Sequence, residues 1–119
     1  MSMICTVHND LTVSLPSGDP DFKIKGSGLY FNVQVESPVS VQFNAPPEAF
    51  ENFFNVGTPF TFAPAQPGWI TNILASSNGL QVSFTINPVN GTRASAAFLI
   101  NLNDGRAVDP TIVNEPPPG

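Results

Sequence analysis

The chain has 119 residues, of which 41% are apolar and only 11% charged, and its net charge is −5. That length suits one domain with a core of its own. The four scattered cations, Lys23, Lys25, Arg93 and Arg106, exclude the positive stripe that a nucleic acid requires. No apolar run approaches the ~20 residues that cross a bilayer, so neither nucleic acid nor membrane is expected as a partner.

Met1 to Asp10 lacks the basic start and apolar stretch of a secretion signal, which sets the expectation of a cytoplasmic protein. Cys5, the only cysteine, lies in a β-prone stretch with Ile4, Thr6 and Val7, and it excludes an intrachain disulfide. It reads as a buried structural thiol, because no neighbouring cation would lower its pKa. Leu11, Val13 and Leu15 form a short alternating stripe, and Asp19-Pro20-Asp21 follows in a Gly/Pro loop. From Leu29 to Glu36, Leu29, Phe31, Val33 and Val35 share one face and Tyr30, Asn32, Gln34 and Glu36 the other. After the break at Ser37-Pro38, Val39, Val41 and Phe43 repeat the pattern.

Ala45 to Gly68 is dense in proline and phenylalanine. Proline near the first position and acids in the first turn predict one or two helical turns over Pro47–Phe53. Phe50, Phe53 and Phe54 would then share a face. A short strand is expected at Pro59–Ala63. These rings read as closing one end of the core, or as an aromatic-lined pocket or an oligomer contact. Asn78-Gly79 and Asn90-Gly91 have the chemistry of tight hairpin turns. They predict a three-strand meander over Trp69–Ser77, Leu80–Asn87 and Thr92–Leu102, and Asn103-Asp104-Gly105 then turns the chain. In the tail, Thr111-Ile112-Val113 predicts a last strand, at a sheet edge guarded by flanking prolines. Pro116-Pro117-Pro118 favours polyproline II.

The whole reads as one domain over residues 1–119, with a proline-rich tail at 114–119. The expected fold is an all-β, antiparallel Greek-key β-sandwich, immunoglobulin-like, of about eight or nine strands; a small closed barrel is the alternative.

No catalytic motif accompanies His8, the only histidine, and an enzyme is not expected. Zinc or iron would need more His and Cys than the chain has. Asp10, Asp19, Asp21, Asp104 and Asp109 fall in turns, where Asp ordinarily bonds the local backbone, although such loops can also offer oxygens to calcium. No cofactor is expected. Tyr30 and Trp69, each the only one of its type, are candidates for contact with a ligand or partner. The plain alternative is that Tyr30 covers an open sheet face and Trp69 plugs the sandwich.

Asp109-Pro110 and Glu115-Pro116 stand six residues apart in the tail. In this the chain resembles the DP-EP family, small bacterial β-sandwich proteins of unknown function named for these two dipeptides. The resemblance implies a sandwich over the whole chain and carries over no catalytic residue. The functional expectation is a non-enzymatic protein-interaction or self-assembling module, a homo-oligomer being compatible with it. The alternative is a small-ligand domain, carbohydrate-like in its ligand, that uses Tyr30, Trp69 and Asn-rich loops.

Overall fold

A strand that alternates apolar and polar residues must hide one face, and two such sheets can hide each other. The computed structural model describes residues 2–15, 22–27 and 30–117, with the backbone alone at 22–27 and 31. Its strands in chain order are β1 (Ser2–Val7), β2 (Val13–Ser14), β3 (Phe22–Ser27), β4 (Tyr30–Val35), β5 (Val39–Asn44), β6 (Phe60–Ala63), β7 (Ile70–Ala75), β8 (Gln81–Ile86), β9 (Ala94–Asn101), β10 (Ala107–Val108) and β11 (Thr111–Glu115). No helix occurs among the described residues.

Two sheets result. The first runs β2-β1-β5-β8-β7; the second runs β10-β9-β11-β4-β3, with β6 on the other side of β9. Between them lies one core. Met3, Cys5, Val7, Val41 and Ile86 enter it from the first sheet, and Val33, Val35, Ile100 and Ile112 from the second. Its centre is aromatic. Phe84 lies 5.1 Å from Phe60 and 5.5 Å from Phe98, ring centre to ring centre, and Phe43 lies 5.9 Å from Phe60. Edge-on and tilted contacts at this range add to what burial alone contributes. The all-β sandwich is therefore present, and its sheets stay separate rather than closing into a barrel.

The strictly antiparallel Greek key is corrected. β1 pairs with β5 in parallel, and so does β11 with β4, so both sheets are mixed. Strands β3 and β4 lie between β1 and β5 in sequence but belong to the other sheet. The chain thus returns to β1 after two crossings, free of the reversal that a hairpin imposes.

The meander is corrected as well. β7 and β8 do pair antiparallel around Ser76–Gly79, with Gly79 at φ 72°. β9, however, belongs to the second sheet. Both sides of β8 are already taken, by β5 and β7. Asn87 N–H still reaches the Trp69 carbonyl at 2.8 Å, but Pro88 has no N–H to continue the ladder, and the chain crosses over. Asn90-Gly91 turns within that crossing.

The last strand is central rather than marginal. β11 lies between β9 and β4. Ala107 and Val108 pair with Asn101 and Ile100, and Thr111 and Ile112 pair with Ala97 and Ala96, so β10 and β11 follow β9 in one register across Asp109-Pro110. Val108, Pro110, Ile112 and Asn114 are all buried along this line. The prolines do not guard an edge; they stand immediately before and after the paired residues. Leu29 lies outside the described residues, as do the side chain of Phe31 and the end of the tail.

Candidate functional site

The segment after β5 begins as a tight turn, with Ala49 N–H donating to the Pro46 carbonyl at 2.9 Å. The expected helix over Pro47–Phe53 does not form. A helix needs its amides turned inward, whereas Asn52 N–H is held by the Asn78 carbonyl at 2.8 Å, and Phe53 and Phe54 N–H converge on the Gly79 carbonyl at 3.1 and 2.9 Å. Asn52 adopts φ 54°, which ends any right-handed turn. The β7–β8 hairpin tip thus supplies the acceptors that a helix would have supplied itself.

The common face expected for Phe50, Phe53 and Phe54 breaks up accordingly. Phe54 is buried and bridges to Leu102, while Phe53 is half-buried against it with ring centres 5.0 Å apart. Phe50 projects, 87% exposed. Of the remaining rings in this stretch, Phe60 and Phe62 join the central aromatic cluster rather than closing one end of the core.

Around Phe50 three loops enclose an open groove of about 340 Å³. The turn after β1 contributes Asn9, whose Nδ2 donates to Glu48 Oε1 at 2.6 Å. The Phe50 segment contributes Glu48 and Glu51, and the β9–β10 turn contributes Asn103, Asp104 and Arg106. Asp104 accepts from the Arg106 backbone N–H at 3.0 Å and from Arg106 Nε at 2.7 Å. Those bonds, the backbone one first, hold its carboxyl below the usual carboxylate range. The groove has a hydrogen-bonded backbone, one projecting ring and a mainly acidic rim.

The residues singled out in the sequence lie elsewhere. Tyr30 opens β4 on the second sheet and is 47% exposed. Trp69 precedes β7 on the first sheet and packs half-buried against the core. They lie on different sheets. Asp109 is exposed in the gap between β10 and β11, and Glu115 ends β11, where it pairs with Arg93 at 3.4 Å. Six residues of extended chain separate the two carboxylates by roughly 20 Å, too far to act on one atom. Pro110 faces the core, and the Pro116 carbonyl accepts from Gln34 Nε2 at 2.9 Å.

His8 Nε2 meets the Ser14 hydroxyl, but Asp10 bonds Thr12 instead of orienting the imidazole. The Thr12 hydroxyl, at 2.7 Å, is the first reason that the Asp10 carboxyl sits below its ordinary range. Both described loop aspartates that bond locally, Asp10 and Asp104, serve their own turns; Asp19 and Asp21 lie outside the described residues. No three His, Cys, Asp or Glu side chains converge as a metal site among the described residues.

Cys5 faces the core from β1, and burial pushes its thiol up to about 12. Since the thiolate is the reactive form, a disulfide reagent such as Ellman's should label Cys5 in the native protein at pH 8 roughly a hundredfold or more slowly than in denaturant, the rate then being set by opening. Equal rates would show an accessible thiol.

The sequence groups Phe50 with Phe53 and Phe54 on one helical face and does not single it out. Nothing in the local sequence distinguishes the ring that projects from the two that turn inward. The chain matches no protein-family model and no curated protein sequence. Among the described residues no helix is long and apolar enough to cross a membrane.

Proposed function

We propose that this chain is a non-enzymatic protein-interaction module that engages its partner through the groove around Phe50. The observation that carries the reading is a phenylalanine 87% exposed on a backbone fixed by hydrogen bonds on both sides. Such a ring adds little to folding. As an interface anchor it inserts with little ordering cost, because its segment is already held. Glu48 and Glu51 flank it, so the complementary surface is an apolar pocket edged by Lys or Arg.

Peptide selection from a random library on the immobilised chain tests this. Binders should combine an aliphatic or aromatic residue with basic neighbours. Phe50→Ser should weaken them by roughly thirtyfold, the ~2 kcal/mol of an anchor residue, with no loss of melting temperature. Selected peptides that bind Phe50→Ser as well as the parent would refute the reading.

The carbohydrate alternative also moves to this groove, because Asn9, Asn52 and Asn103 line it beside the exposed ring. Glycan binding that is indifferent to Phe50 would count against that version. Membership of the DP-EP family, with its bacterial source, belongs to the same proposal. It is supported by the position of the two dipeptides, whose prolines immediately precede and follow β11. A cytoplasmic setting fits a chain whose one thiol is shielded.

A further inference from the structure

An asparagine side chain is attacked most readily by the backbone nitrogen of the residue after it. A following glycine screens that nitrogen least, because it has no Cβ. The sequence has two such pairs, Asn78-Gly79 and Asn90-Gly91, and the fold treats them differently. At the β7–β8 tip Gly79 is buried, with the Asn52 backbone directly against it, and its N–H donates to the Ser76 carbonyl at 3.1 Å. The Asn78 side chain is held as well: its Oδ1 accepts from Ser76 Oγ at 2.6 Å and from Leu80 N–H at 3.1 Å. Attack there requires the nitrogen to leave its carbonyl and the side chain to turn round. In the β8–β9 crossover Asn90 and Gly91 are exposed, and nothing lies within 4 Å of the place that a Gly91 Cβ would take. The Asn90 carbonyl accepts from Thr92 N–H at 3.1 Å, a γ-turn centred on Gly91 at φ 84°. Among the described residues Gly91 N–H donates to no backbone carbonyl, and the Asn90 side chain makes no hydrogen bond.

We propose that Asn90 is a site of spontaneous modification, converting to aspartate and isoaspartate in the folded protein while Asn78 is spared. Base takes the Gly91 amide proton, and the nitrogen bonds to Asn90 Cγ. The Cγ–Nδ2 bond breaks, and Nδ2 leaves as ammonia with a proton from water. Water then opens the cyclic imide. Attack at the Cγ carbonyl gives aspartate, and attack at the backbone carbonyl gives isoaspartate. Either product puts a carboxylate where an amide stood, on a chain already at −5. Isoaspartate also routes the backbone through the former side chain, which lengthens the crossover between the two sheets.

Incubating the native chain in mildly alkaline buffer, with peptide mapping by mass spectrometry over a time course, tests the proposal. The peptide that holds Asn90 should gain the mass that separates an acid from an amide, and an isoaspartate methyltransferase should label it. Asn78 should lag roughly tenfold or more, the factor set by breaking the bonds around Gly79 before attack. In urea the two pairs should react at similar rates, because the restraint at Gly79 is then gone. Gly91→Ala places a methyl beside the attacking nitrogen and should slow Asn90 roughly tenfold, while urea unfolding shows that the variant is still folded. Comparable native rates at the two asparagines would overturn the proposal. So would a lag at Asn78 that persists in urea, an Asn90 that reacts in urea but not in the native chain, or a Gly91→Ala rate equal to the parent's.

Discussion

A chain shortened to end at Val108 is expected to lose its cooperative fold. β11 is hydrogen-bonded on both sides, to β9 and to β4, and it places Ile112 and Asn114 in the interior. Removing it exposes two rows of backbone donors and acceptors at the middle of a sheet and opens the core beneath them. The buried apolar side chains alone contribute about 1.5–3 kcal/mol each, and the missing ladder bonds add to that loss. Against a total stability of about 5–15 kcal/mol the loss is decisive. Near-UV circular dichroism and a urea titration would show it as a flat aromatic signal and no unfolding transition. The milder Ile112→Ala should cost about 2–5 kcal/mol and leave a folded protein with a lower urea midpoint. A truncated chain that melts sharply near the parent's temperature would contradict the central role of β11.

Gly79→Ala should be the most damaging change of a single atom. Gly79 is buried at φ 72°, and an added Cβ would lie 2.7 Å from Asn52 Cα and 3.0 Å from Asn52 N. The backbone conformation alone penalises an L side chain by about 1–2 kcal/mol. The clash is with backbone that cannot swing aside, so the Asn52–Phe54 segment must lift from the hairpin tip and give up hydrogen bonds worth about 0.5–1.5 kcal/mol each. A loss of about 3 kcal/mol is expected. Gly91→Ala provides the comparison: its φ is 84°, yet nothing lies within 4 Å of the added atom, so it should lose only the backbone part. Equal costs for the two variants, measured by urea unfolding, would show that the Gly79–Asn52 contact is not a constraint. Because Asn52 lines the groove and Phe50 lies two residues before it, Gly79→Ala should also weaken peptide binding there.

The strands were legible where burial is set locally. Val39, Val41 and Phe43, or Val82, Phe84 and Ile86, alternate because one face of each strand is wet, and the alternation is written in adjacent residues. Pairing is set by distant residues and was not legible. Asn90-Gly91 has the chemistry of a hairpin turn whether or not β8 has a free side, and only β5 and β7 together show that it has none. The prolines around β11 have the same chemistry at an edge as at the ends of a central strand. The helix over Pro47–Phe53 failed for a related reason: carbonyls some twenty-five residues further along took its amides. The groove combines loops far apart in sequence, from Asn9 to Arg106, and only the topology brings them together.

The place of β11 has a consequence for how the protein is made. A chain emerging from the ribosome folds from its beginning, but here the second sheet cannot close until its final strand has been synthesised. Until then β9 and β4 wait with unsatisfied edges facing each other across a gap, the kind of template to which a stray strand from another molecule can add. Pairing β4 with β11 also joins residues about eighty apart in the sequence, which makes closure late and slow. The vulnerable period of this molecule is therefore the time before β11 is in place.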